Sequence, residues 1–424
     1  MTELAESPLT TGDRNLSVDE ARAAIAAALQ PIAGTETVAL PKALGRVLAE
    51  NVISPIDVPA HDNSAMDGYA FRGSELQAAG PTTLKSVGTL FAGAPWSDNV
   101  GAEQCLRIMT GAVMPRGLDT VVPLELCHVD GDTVRVELGV IRAGDNRRRR
   151  GEDLAAGRPA LQAGRVLKPA DLGLVASLGI GEVPVRRRLR VGLFSTGDEL
   201  RMLGQPLDAG SVYDSNRYSL MGALQRLGME VIDLGLVRDD PAALQTTLEA
   251  AVAQADVVLT SGGVSMGDAD HTRDVLARMG EVAFWKVAMR PGRPFAFGPL
   301  TREAGALPCW LFALPGNPVA ALVTFYAFAR EALLQLAGAA PRPLPVLQAR
   351  CTTALRKRPG RTEFQRAIVE PAADGGWQVR LTGSQGAGVL RSMSEANALV
   401  VLGHAQGSVA EGGLVDVWLF DGLV

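Results

Sequence analysis

Three stretches of the sequence decide its fold: RVGLFSTGDEL at residues 190–200, ADVVLTSGGVSMGDAD at residues 255–270 and CWLFALPGNP at residues 309–318. Each is a short apolar run that ends in a glycine-rich turn. Helical patterns separate the runs, and this alternation is typical of parallel strands that are buried on both faces. The region from residue 190 to residue 317 is therefore predicted to form a three-layer α/β domain.

The glycine-rich turns predict a ligand site. In a parallel α/β sheet, ligands bind beyond the carboxyl ends of the strands, where backbone N–H groups converge. All three turns fall at that edge. One such turn could be no more than a tight turn, but two of these carry acidic residues and one carries Pro-Gly-Asn-Pro. We expect an oxyanion or a phosphate-bearing ligand there.

The helices between these runs begin and end at recognisable residues. Asp214 or Ser215 can cap a helix that Gly228 terminates, and Pro241 and Pro318 can each open a helix. The predicted helices span residues 215–227, 241–254, 272–279 and 318–336.

Length and composition limit the class of protein. A chain of 424 residues is too long for one core, so roughly two to four domains are expected. No apolar run approaches the roughly 20 residues that span a bilayer, and the first residues lack the basic and apolar regions of an export signal. A formal net charge of −5 argues against nucleic-acid binding. We therefore expect a soluble, cytoplasmic protein that binds neither nucleic acid nor membrane.

Cysteine and histidine are too dispersed to predict a site. The four cysteines form no C-x-x-C motif, which fits a reducing compartment and excludes a zinc ribbon. The four histidines are equally scattered. Neither a His/Cys metal cluster nor a Ser-His-Asp arrangement can be argued from the sequence.

The N-terminal part is predicted to be helical. Ser17 and Glu20 form a capping box for a helix that Pro31 ends, and residues 41–50 predict a second helix. Residues 54–72 contain too many turn residues for a packed element. The polar groups of that segment, which include three aspartates, are expected to serve turns or a ligand.

Two further regions have β character. Strands are predicted at residues 82–91, 104–109 and 120–126, followed by a hairpin that turns at Asp130-Gly131. A helix near residues 169–178 then returns the chain to the α/β domain. Beyond a proline-rich linker after Ala340, five short strands predict a small β barrel or sandwich. The predicted strands of this last region span residues 346–355, 363–369, 377–381, 398–402 and 415–420.

These patterns predict four domains. A helical linking domain comprises residues 1–55 and 155–187, and a β-rich domain of residues 56–154 is inserted into it. An α/β domain spans residues 188–340. A C-terminal β domain spans residues 341–424.

The arginine run at residues 147–150 has two interpretations. Such a run is often a solvated or salt-bridged face, and Glu152 and Asp153 follow it closely. It also lies between glycine turns in an acidic chain, where a concentrated positive field would favour an anion. Both interpretations stay open at this point.

A series of motifs along the whole chain is typical of one family. In order they are DNSAMDGYA, RIMTGAVMP with DTVV, RRRGEDL, STGDEL, YDSN, TSGGVSMGDAD, KVAMRPGRP and LPGNPVAA. This series resembles the molybdopterin molybdenumtransferases, the bacterial MoeA family, which is similar to the C-terminal domain of gephyrin. STGDEL and SGGVS alone would also fit sister proteins built on the same α/β domain.

The resemblance implies a reaction. Members of the family insert molybdenum from molybdate into adenylylated molybdopterin in a magnesium-dependent step, and they release AMP and molybdenum cofactor. They are elongated homodimers, and their site lies between the molybdopterin-binding α/β domain of one subunit and motif-bearing loops of the other. Transient contact with other molybdenum cofactor enzymes is also expected.

The chemistry of the motifs agrees with this reaction. Two anions must be brought together against their repulsion, and Lys286, Arg290 and Arg293 are suitable counter-charges. Pro291 and Pro294 restrict the loop that carries them. Family members commonly have lysine where this chain has Arg290 and Arg293, which keeps the charge but replaces a compact ammonium by a planar fork.

The resemblance assigns roles to individual residues. Asp239 and Asp270 are the expected magnesium ligands, and Glu199 is expected to orient the pterin or to assist the metal. The expected catalytic residues are Asp67, Asp153, Glu199, Lys286 and Arg290. The expected substrate-binding residues are Thr110, Ser195, Thr196, Gly197, Ser261, Gly262, Gly263, Ser265, Pro291, Arg293, Pro315, Gly316, Asn317, Arg361, Arg366 and Ser392, the last three for molybdate.

Two other functions compete with this interpretation. One is adenylylation of molybdopterin, which proteins similar to residues 190–336 alone perform, but the motifs outside that segment would then be idle. The other is a non-enzymatic dimeric scaffold, since gephyrin relatives also organise partner proteins. The retained acidic and basic motif residues argue for catalysis.

Overall fold

The computed structural model describes residues 15–32, 34–263, 269–302, 306–342 and 344–423, with the backbone alone described for residues 269–271. The chain begins with β1 (Asn15–Leu16) and α1 (Val18–Ala28). The predicted capping box of α1 is present, because the Glu20 N–H donates to Ser17 Oγ at 3.2 Å and the Ser17 N–H donates to Glu20 Oε2 at 2.8 Å.

The segment after α1 is extended rather than helical. It contains β2 (Thr35–Ala39) and β3 (Val52–Ile53). The predicted helix at residues 41–50 is wrong, since a single 3₁₀ turn is followed by a backbone bend. Leu48 N–H then donates to the Arg165 carbonyl at 2.9 Å. This hydrogen bond to an extended segment later in the chain satisfies the backbone of Leu48. Tertiary pairing therefore overrides the local helix propensity of residues 41–50.

The next region is a sheet with the strand order β8-β5-β7-β6-β10-β9, beside a separate β4–β11 pair. The prediction that residues 54–72 hold no packed element is wrong, because all four residues of β5 are buried. A Cβ at Gly68 would overlap the Val122 carbonyl oxygen, so glycine allows this close approach. The strands are β4 (Asn63–Ser64), β5 (Gly68–Phe71), β6 (Thr82–Leu90), β7 (Gln104–Ile108), β8 (Thr120–Pro123), β9 (Cys127–Asp130), β10 (Thr133–Val136) and β11 (Arg147–Arg148).

The chain then returns to the first segment. β12 (Pro159–Leu161) pairs with β3, and β13 (Glu182–Arg186) pairs with β2, both antiparallel. Between them lies α2 (Pro169–Ser177), which confirms the helix predicted near residues 169–178 and has proline at its first position. Two distant pieces of the chain therefore pair with each other and share one hydrophobic cluster.

The central sheet has the order β1-β19-β21-β22-β18-β14-β17. Its helices confirm the predicted three-layer α/β fold. The sheet is mixed, however: β22, β18, β14 and β17 are parallel, whereas β21 runs antiparallel to both β19 and β22. The short connection between β19 and β21 makes a hairpin, and only antiparallel strands can be joined so closely.

The elements of this region follow the predicted alternation. Its strands are β14 (Arg190–Thr196), β15 (Leu200–Arg201), β16 (Val212–Tyr213), β17 (Glu230–Val237), β18 (Val257–Ser261), β19 (Ala283–Val287), β20 (Met289–Arg290), β21 (Pro294–Leu300) and β22 (Cys309–Leu314). Its helices are α3 (Asn216–Arg226), α4 (Pro241–Gln254), α5 (Ala269–Met279), α6 (Pro318–Thr324) and α7 (Arg330–Leu336), the last two joined by a π-helical turn.

The helical run Pro318–Leu336 forms the centre of the core. Phe328 on this run packs against Phe295 on the sheet, with ring centroids 5.1 Å apart. The run has 19 residues and a hydropathy of 1.4, so by length and composition it could cross a membrane, which the sequence did not lead us to expect. Its most apolar window is 72% buried inside the protein, as in a core helix.

The C-terminal region confirms the predicted β barrel. Five strands close in the order β24-β25-β23-β27-β26 through a β24–β26 pairing. β20 joins the outside of this barrel in parallel with β24, and Arg290 lies opposite Glu363. The elements are β23 (Leu347–Cys351), β24 (Thr362–Pro371), β25 (Trp377–Leu381), α8 (Leu390–Glu395), β26 (Ala398–Leu402), β27 (Leu414–Leu419) and α9 (Phe420–Leu423).

Candidate active site

The three glycine-rich turns lie against one another at the carboxyl edge of the parallel strands. The Gly262 N–H donates to the Leu314 carbonyl at 3.0 Å. A Cβ on Gly316 would lie 3.7 Å from Gly262 Cα, and a Cβ on Gly262 would overlap the Thr196 carbonyl oxygen. Gly262 also has a φ of +98°, which favours glycine. The close approach of the turns therefore depends on this residue.

Two serines of these turns serve the scaffold. Ser195 is fully buried, and its hydroxyl donates to Asp214 Oδ1 at 2.9 Å. Ser261 is 2% exposed, accepts a hydrogen bond from Asn216 Nδ2 at 2.6 Å and donates to the Pro315 carbonyl at 3.3 Å. Both hydroxyls are thus hydrogen-bonded to protein groups that hold the turns in place. The Ser265 position lies outside the described residues.

Carboxylates border the first turn. Thr196 Oγ1 donates to Asp239 Oδ1 at 2.7 Å, and the Asp239 N–H donates to Asp198 Oδ1 at 3.3 Å. Glu199 folds over Gly197, where an added Cβ would lie 2.7 Å from Glu199 Oε2. All three carboxylate side chains are exposed at the edge of the sheet.

Two carboxylates of this border could contribute to a metal site. Among the described side chains, no three His, Cys, Asp or Glu residues are close enough to hold a metal together. The side chain of Asp270 lies outside that set. Mg²⁺ is commonly held by one or two carboxylates, with waters and phosphate oxygens completing the shell. The exposed oxygens of Asp239 and Asp198 fit such a partial set.

A loop with positive charge lies beside the turns. Lys286 is half-buried on β19, whereas Arg290 and Arg293 are exposed at the ends of the loop. Gly292 has a φ of +97°, and a Cβ there would overlap Thr324 Oγ1 on the core helix. The loop is therefore pressed against the helix that follows the third turn.

The C-terminal barrel contributes two further arginines. Arg366 is 1% exposed, and its Nε donates to Ser392 Oγ at 3.0 Å. Its other nitrogens donate to the carbonyls of Ser384, Gln385 and Gly386 at 2.9 to 3.2 Å. Burial, together with the nearby Arg290 charge, lowers the pKa of Arg366 to about 10.

The Arg366 contacts hold a loop against the third turn. The Ala387 carbonyl accepts a hydrogen bond from the Val319 N–H at 3.0 Å. Because most donors of Arg366 are directed to protein carbonyls, this residue positions the loop. Its expected part in molybdate binding stays a prediction. Arg361 is more exposed, and its Nε and Nη2 donate to buried Glu363 Oε1 at 2.9 and 2.7 Å.

The remaining predicted residues lie in the β-rich region. Asp67 Oδ1 accepts hydrogen bonds from the Thr110 hydroxyl at 2.7 Å and from the Thr110 N–H at 2.6 Å, and these bonds lower the pKa of Asp67. Asp153 is exposed, and its N–H donates to the Val58 carbonyl at 3.1 Å. Within the described residues, the hydrogen bonds of these three residues stay inside their own region.

The interpretation of the arginine run as a solvated or salt-bridged face fits the structure, and the anion-binding interpretation stays a prediction. Arg150 Nε lies 2.6 Å from Asp57 Oδ2, and Arg147 Nη1 lies 3.7 Å from Asp62 Oδ2, so the outer two arginines are salt-bridged. The side chains of Arg148 and Arg149 are exposed. The run therefore contains two salt-bridged arginines and two arginines that are exposed to solvent.

Sequence reasoning missed the residues that hold the turns in place. Three of them belong to the YDSN segment and its surroundings, whose motif carried the family resemblance but no assigned role, and the other two lie on the first turn and on the barrel. Arg217, which is 2% exposed, donates to Asp214 at 3.0 Å and to Asp233 at 2.6 Å. The polar residues of YDSN, which lie between a short strand and a helix, were the sequence signal that could have indicated this role. The missed residues are Asp198, Asp214, Asn216, Arg217 and Glu363.

Comparison with known families covers most of the chain. Residues 16–179 match the MoeA N-terminal region, described as domains I and II. Residues 192–335 match a domain described as a molybdopterin-binding domain with the qualifier "probable", and residues 348–420 match the MoeA C-terminal region, domain IV. The matched regions follow one another in the same order as the regions of this fold.

Individual relatives match over nearly the full length. A molybdopterin molybdenumtransferase of Haemophilus influenzae is 42% identical over 96% of this chain and 100% of its own length. The molybdopterin molybdenumtransferase 2 of Mycobacterium tuberculosis is 37% identical over 90% of this chain and 94% of its own. The crystal structure of a molybdopterin biosynthesis MoeA protein from Pyrococcus horikoshii superposes with a TM-score of 0.80 at 28% identity, covering 96% of this chain and 100% of that one. This chain belongs to the molybdopterin molybdenumtransferase family.

Proposed function

We propose that this protein inserts molybdenum from molybdate into adenylylated molybdopterin, forming molybdenum cofactor and releasing AMP. The observation that carries the proposal is the junction of the glycine-rich turns with two sets of basic residues. One set lies on the β19–β21 loop and the other on the C-terminal barrel. Relatives matched over nearly the full length are named for this transferase reaction.

The junction suits a reaction between two anions. Within the described residues, the N–H groups of Gly316 and Asn317 have no hydrogen-bond acceptor, so they are available to a phosphate group. Lys286, Arg290 and Arg293 can offset the repulsion between molybdate and the substrate phosphates.

Acidic residues complete the proposed chemistry. We assign Asp239 and Asp270 to a magnesium ion, with Asp198 as a neighbouring oxygen donor. Bound magnesium would neutralise phosphate charge and polarise the phosphoryl group. We also assign Glu199, which lies next to Gly197, to orienting the pterin.

We also propose that the site is completed in a cytoplasmic homodimer. Asp67, Thr110 and Asp153 make their contacts within the β-rich region, away from the glycine-rich turns. Two-fold pairing is the commonest way to bring separate regions of two identical chains together. A second subunit would then present these residues to the turns of the first.

The test is a reconstitution of the reaction with purified components. The protein is mixed with adenylylated molybdopterin, Mg²⁺ and molybdate, and AMP release is followed by chromatography. We expect rapid AMP release that requires molybdate and that stops when Mg²⁺ is chelated. The control is Asp208→Asn, which removes an exposed carboxylate of the same region and should keep full activity.

Each competing function would give a different result. ATP consumption with molybdopterin in the absence of molybdate would indicate an adenylyltransferase. Full AMP release by an Asp239→Asn variant would show that this carboxylate has no role in the reaction. No AMP release under any condition, from a folded dimer, would favour a scaffold.

A further inference from the structure

Asn216, the first residue of α3, lies between two of the glycine-rich turns. Its side-chain NH₂ group donates to Ser261 Oγ at 2.6 Å and to the Gly316 carbonyl at 2.6 Å. Ser261 Oγ donates onward to the Pro315 carbonyl at 3.3 Å. Since an asparagine amide has two N–H donors, Asn216 uses both of them to join the second turn to the third.

These hydrogen bonds decide which way the third turn faces. A trans peptide is planar, so each carbonyl points opposite to the N–H of the following residue. The carbonyls of Pro315 and Gly316 point to Ser261 and Asn216, and the N–H groups of Gly316 and Asn317 must therefore point away from them. Neither N–H meets an acceptor in the part of the chain that the structure describes. Both N–H groups are therefore available to bind an anion from outside the protein.

The segment that carries Asn216 has its own anchor. Asp214 accepts a hydrogen bond from Ser195 on the first turn at 2.9 Å. Arg217 Nε donates to Asp214 Oδ2 at 3.0 Å, and Arg217 Nη1 reaches Asp233 at 2.6 Å. Asp214 and Arg217 are 1% and 2% exposed. Because Asp214 and Arg217 are buried and their ion pairs do not involve the second or third turn, they hold the start of α3 in place independently of Asn216.

We propose that Asn216 is a positioning residue that directs the Gly316 and Asn317 N–H groups toward the anionic part of the substrate. The proposed function supplies the identity of that substrate, and the hydrogen-bond network supplies the positioning role. Asn216 is 9% exposed and its donors are taken by protein oxygens, so it has no direct part in the chemistry. Its loss should impair substrate binding more than turnover.

The test compares Asn216→Ala with a matched variant of the same helix. Ser219→Ala is the control, because the Ser219 hydroxyl donates to the Ser215 carbonyl at 3.2 Å and reaches neither turn. For Asn216→Ala we expect the KM for adenylylated molybdopterin to rise about 10- to 100-fold, since small displacements of binding groups have effects of that order. The value of kcat should fall much less, and Ser219→Ala should match the wild-type protein.

A second measurement needs no substrate. Hydrogen–deuterium exchange followed by mass spectrometry should show faster exchange of peptides covering residues 258–263 and 312–317 in Asn216→Ala only. A protein without transferase activity would refute the proposed function, yet the exchange data would still decide the role of Asn216. Wild-type exchange in both peptides, or a fall in kcat at constant KM, would overturn the inference.

A folding defect can be separated from a positioning defect. If Asn216→Ala melts at a much lower temperature, Asn216→Ser provides the second variant, because its hydroxyl keeps one donor at the start of the helix. We expect Asn216→Ser to fold and to raise KM by less than the alanine variant does. Wild-type KM in a folded Asn216→Ser protein would count against the inference.

Discussion

At the scale of single residues, Lys286 is the cation that most directly tests the charge of the proposed site. It is half-buried on β19, beside the loop that carries Arg290 and Arg293. Lys286→Ala should lower the rate of AMP release by on the order of 10²-fold, as expected when a positioned charge is lost. The free energy of unfolding should fall by about 1 kcal/mol, the typical effect of a single substitution. The measurements are AMP release at saturating molybdate and a thermal melt.

Two further variants define what Lys286 contributes. Lys286→Arg should recover part of the rate if charge alone matters, since the neighbouring loop already carries guanidinium groups. Lys85→Ala is the control, because it removes a lysine that pairs with Asp132 at 3.4 Å in the β-rich region. Wild-type turnover in Lys286→Ala would remove this residue from the site, and a collapsed melting temperature would show a structural role.

At the scale of elements, the loop between β19 and β21 is held by contact with the core helix. Gly292 combines a φ of +97° with a Cβ position that Thr324 Oγ1 occupies. Gly292→Ala should therefore displace the loop, raise the KM for molybdate and lower stability by more than the roughly 1 kcal/mol of left-handed backbone strain. Steady-state kinetics and thermal melts measure both effects.

The Gly292 prediction has a control for backbone strain. Gly117 has a φ of +86° and open space around its Cβ position, so Gly117→Ala carries the strain without the overlap. Thr324→Ala should partly rescue Gly292→Ala by making room, because the Thr324 hydroxyl is buried and has no hydrogen-bond partner among the described residues. Equal effects of the two glycine variants would rule out the overlap as the cause.

A buried ion pair joins the linking segment to the base of the central sheet. Asp256, just before β18, accepts hydrogen bonds from Arg187 Nη1 and Nη2 at 2.7 and 2.8 Å and from the Arg190 N–H at 2.8 Å. Burial alone would raise the pKa of Asp256, but the hydrogen bonds and charges of the arginines outweigh it and lower the pKa. Asp256→Asn should destabilise this region by about 1 to 3 kcal/mol, measured by urea unfolding at neutral pH.

The sign of the Asp256 shift predicts a pH dependence. A carboxylate with a lowered folded-state pKa stabilises the protein above its unfolded-state pKa, which is about 4, and this stabilisation is lost as the pH falls through the lower folded-state value. Asp256→Asn lacks the titrating group, so the stability difference between the two proteins should shrink from pH 5 toward pH 3. Glu182→Gln, an exposed change on β13, should show no such convergence. A constant difference across this range would contradict the assignment.

At the scale of the whole molecule, the proposed homodimer predicts complementation between damaged subunits. Asp67→Asn impairs the half-site in the β-rich region, and Lys286→Ala impairs the half-site in the α/β region. If each site combines the two regions from different subunits, a mixed dimer has one intact site. Subunit exchange should then restore AMP release to a mixture of two nearly inactive proteins.

The control for complementation is a mixture in which both variants damage the same half-site. Lys286 and Asp239 both lie in the central α/β region, so the two variants damage the same half-site. A mixture of Lys286→Ala and Asp239→Asn should therefore recover no activity. Size-exclusion chromatography with light scattering measures the mass of the assembly. A monomer at assay concentration, or no recovery after verified exchange, would refute a shared site.

Local patterns in the sequence predicted most elements of the fold. The capping box of α1, the prolines that open α2, α4 and α6, and the three strand-to-turn stretches were all visible in short windows. So were the strands of the barrel. These features depend on residues within a few positions of one another, where capping and hydrophobic periodicity act. The order of the motifs along the chain was also enough to indicate the family.

Only the tertiary structure decided what several of these residues do. Ser195 and Ser261 hold the scaffold through partners 19 and 45 residues away, and Arg366 directs its guanidinium to carbonyls 18 to 20 residues further along. The extended chain at Leu48 and the buried strand β5 likewise depend on distant backbone partners. A hydroxyl or a guanidinium can bind a ligand or brace a turn, and its sequence neighbours do not distinguish these roles. The distinction comes from which distant groups the fold brings within hydrogen-bonding distance, because a buried polar group must be satisfied there.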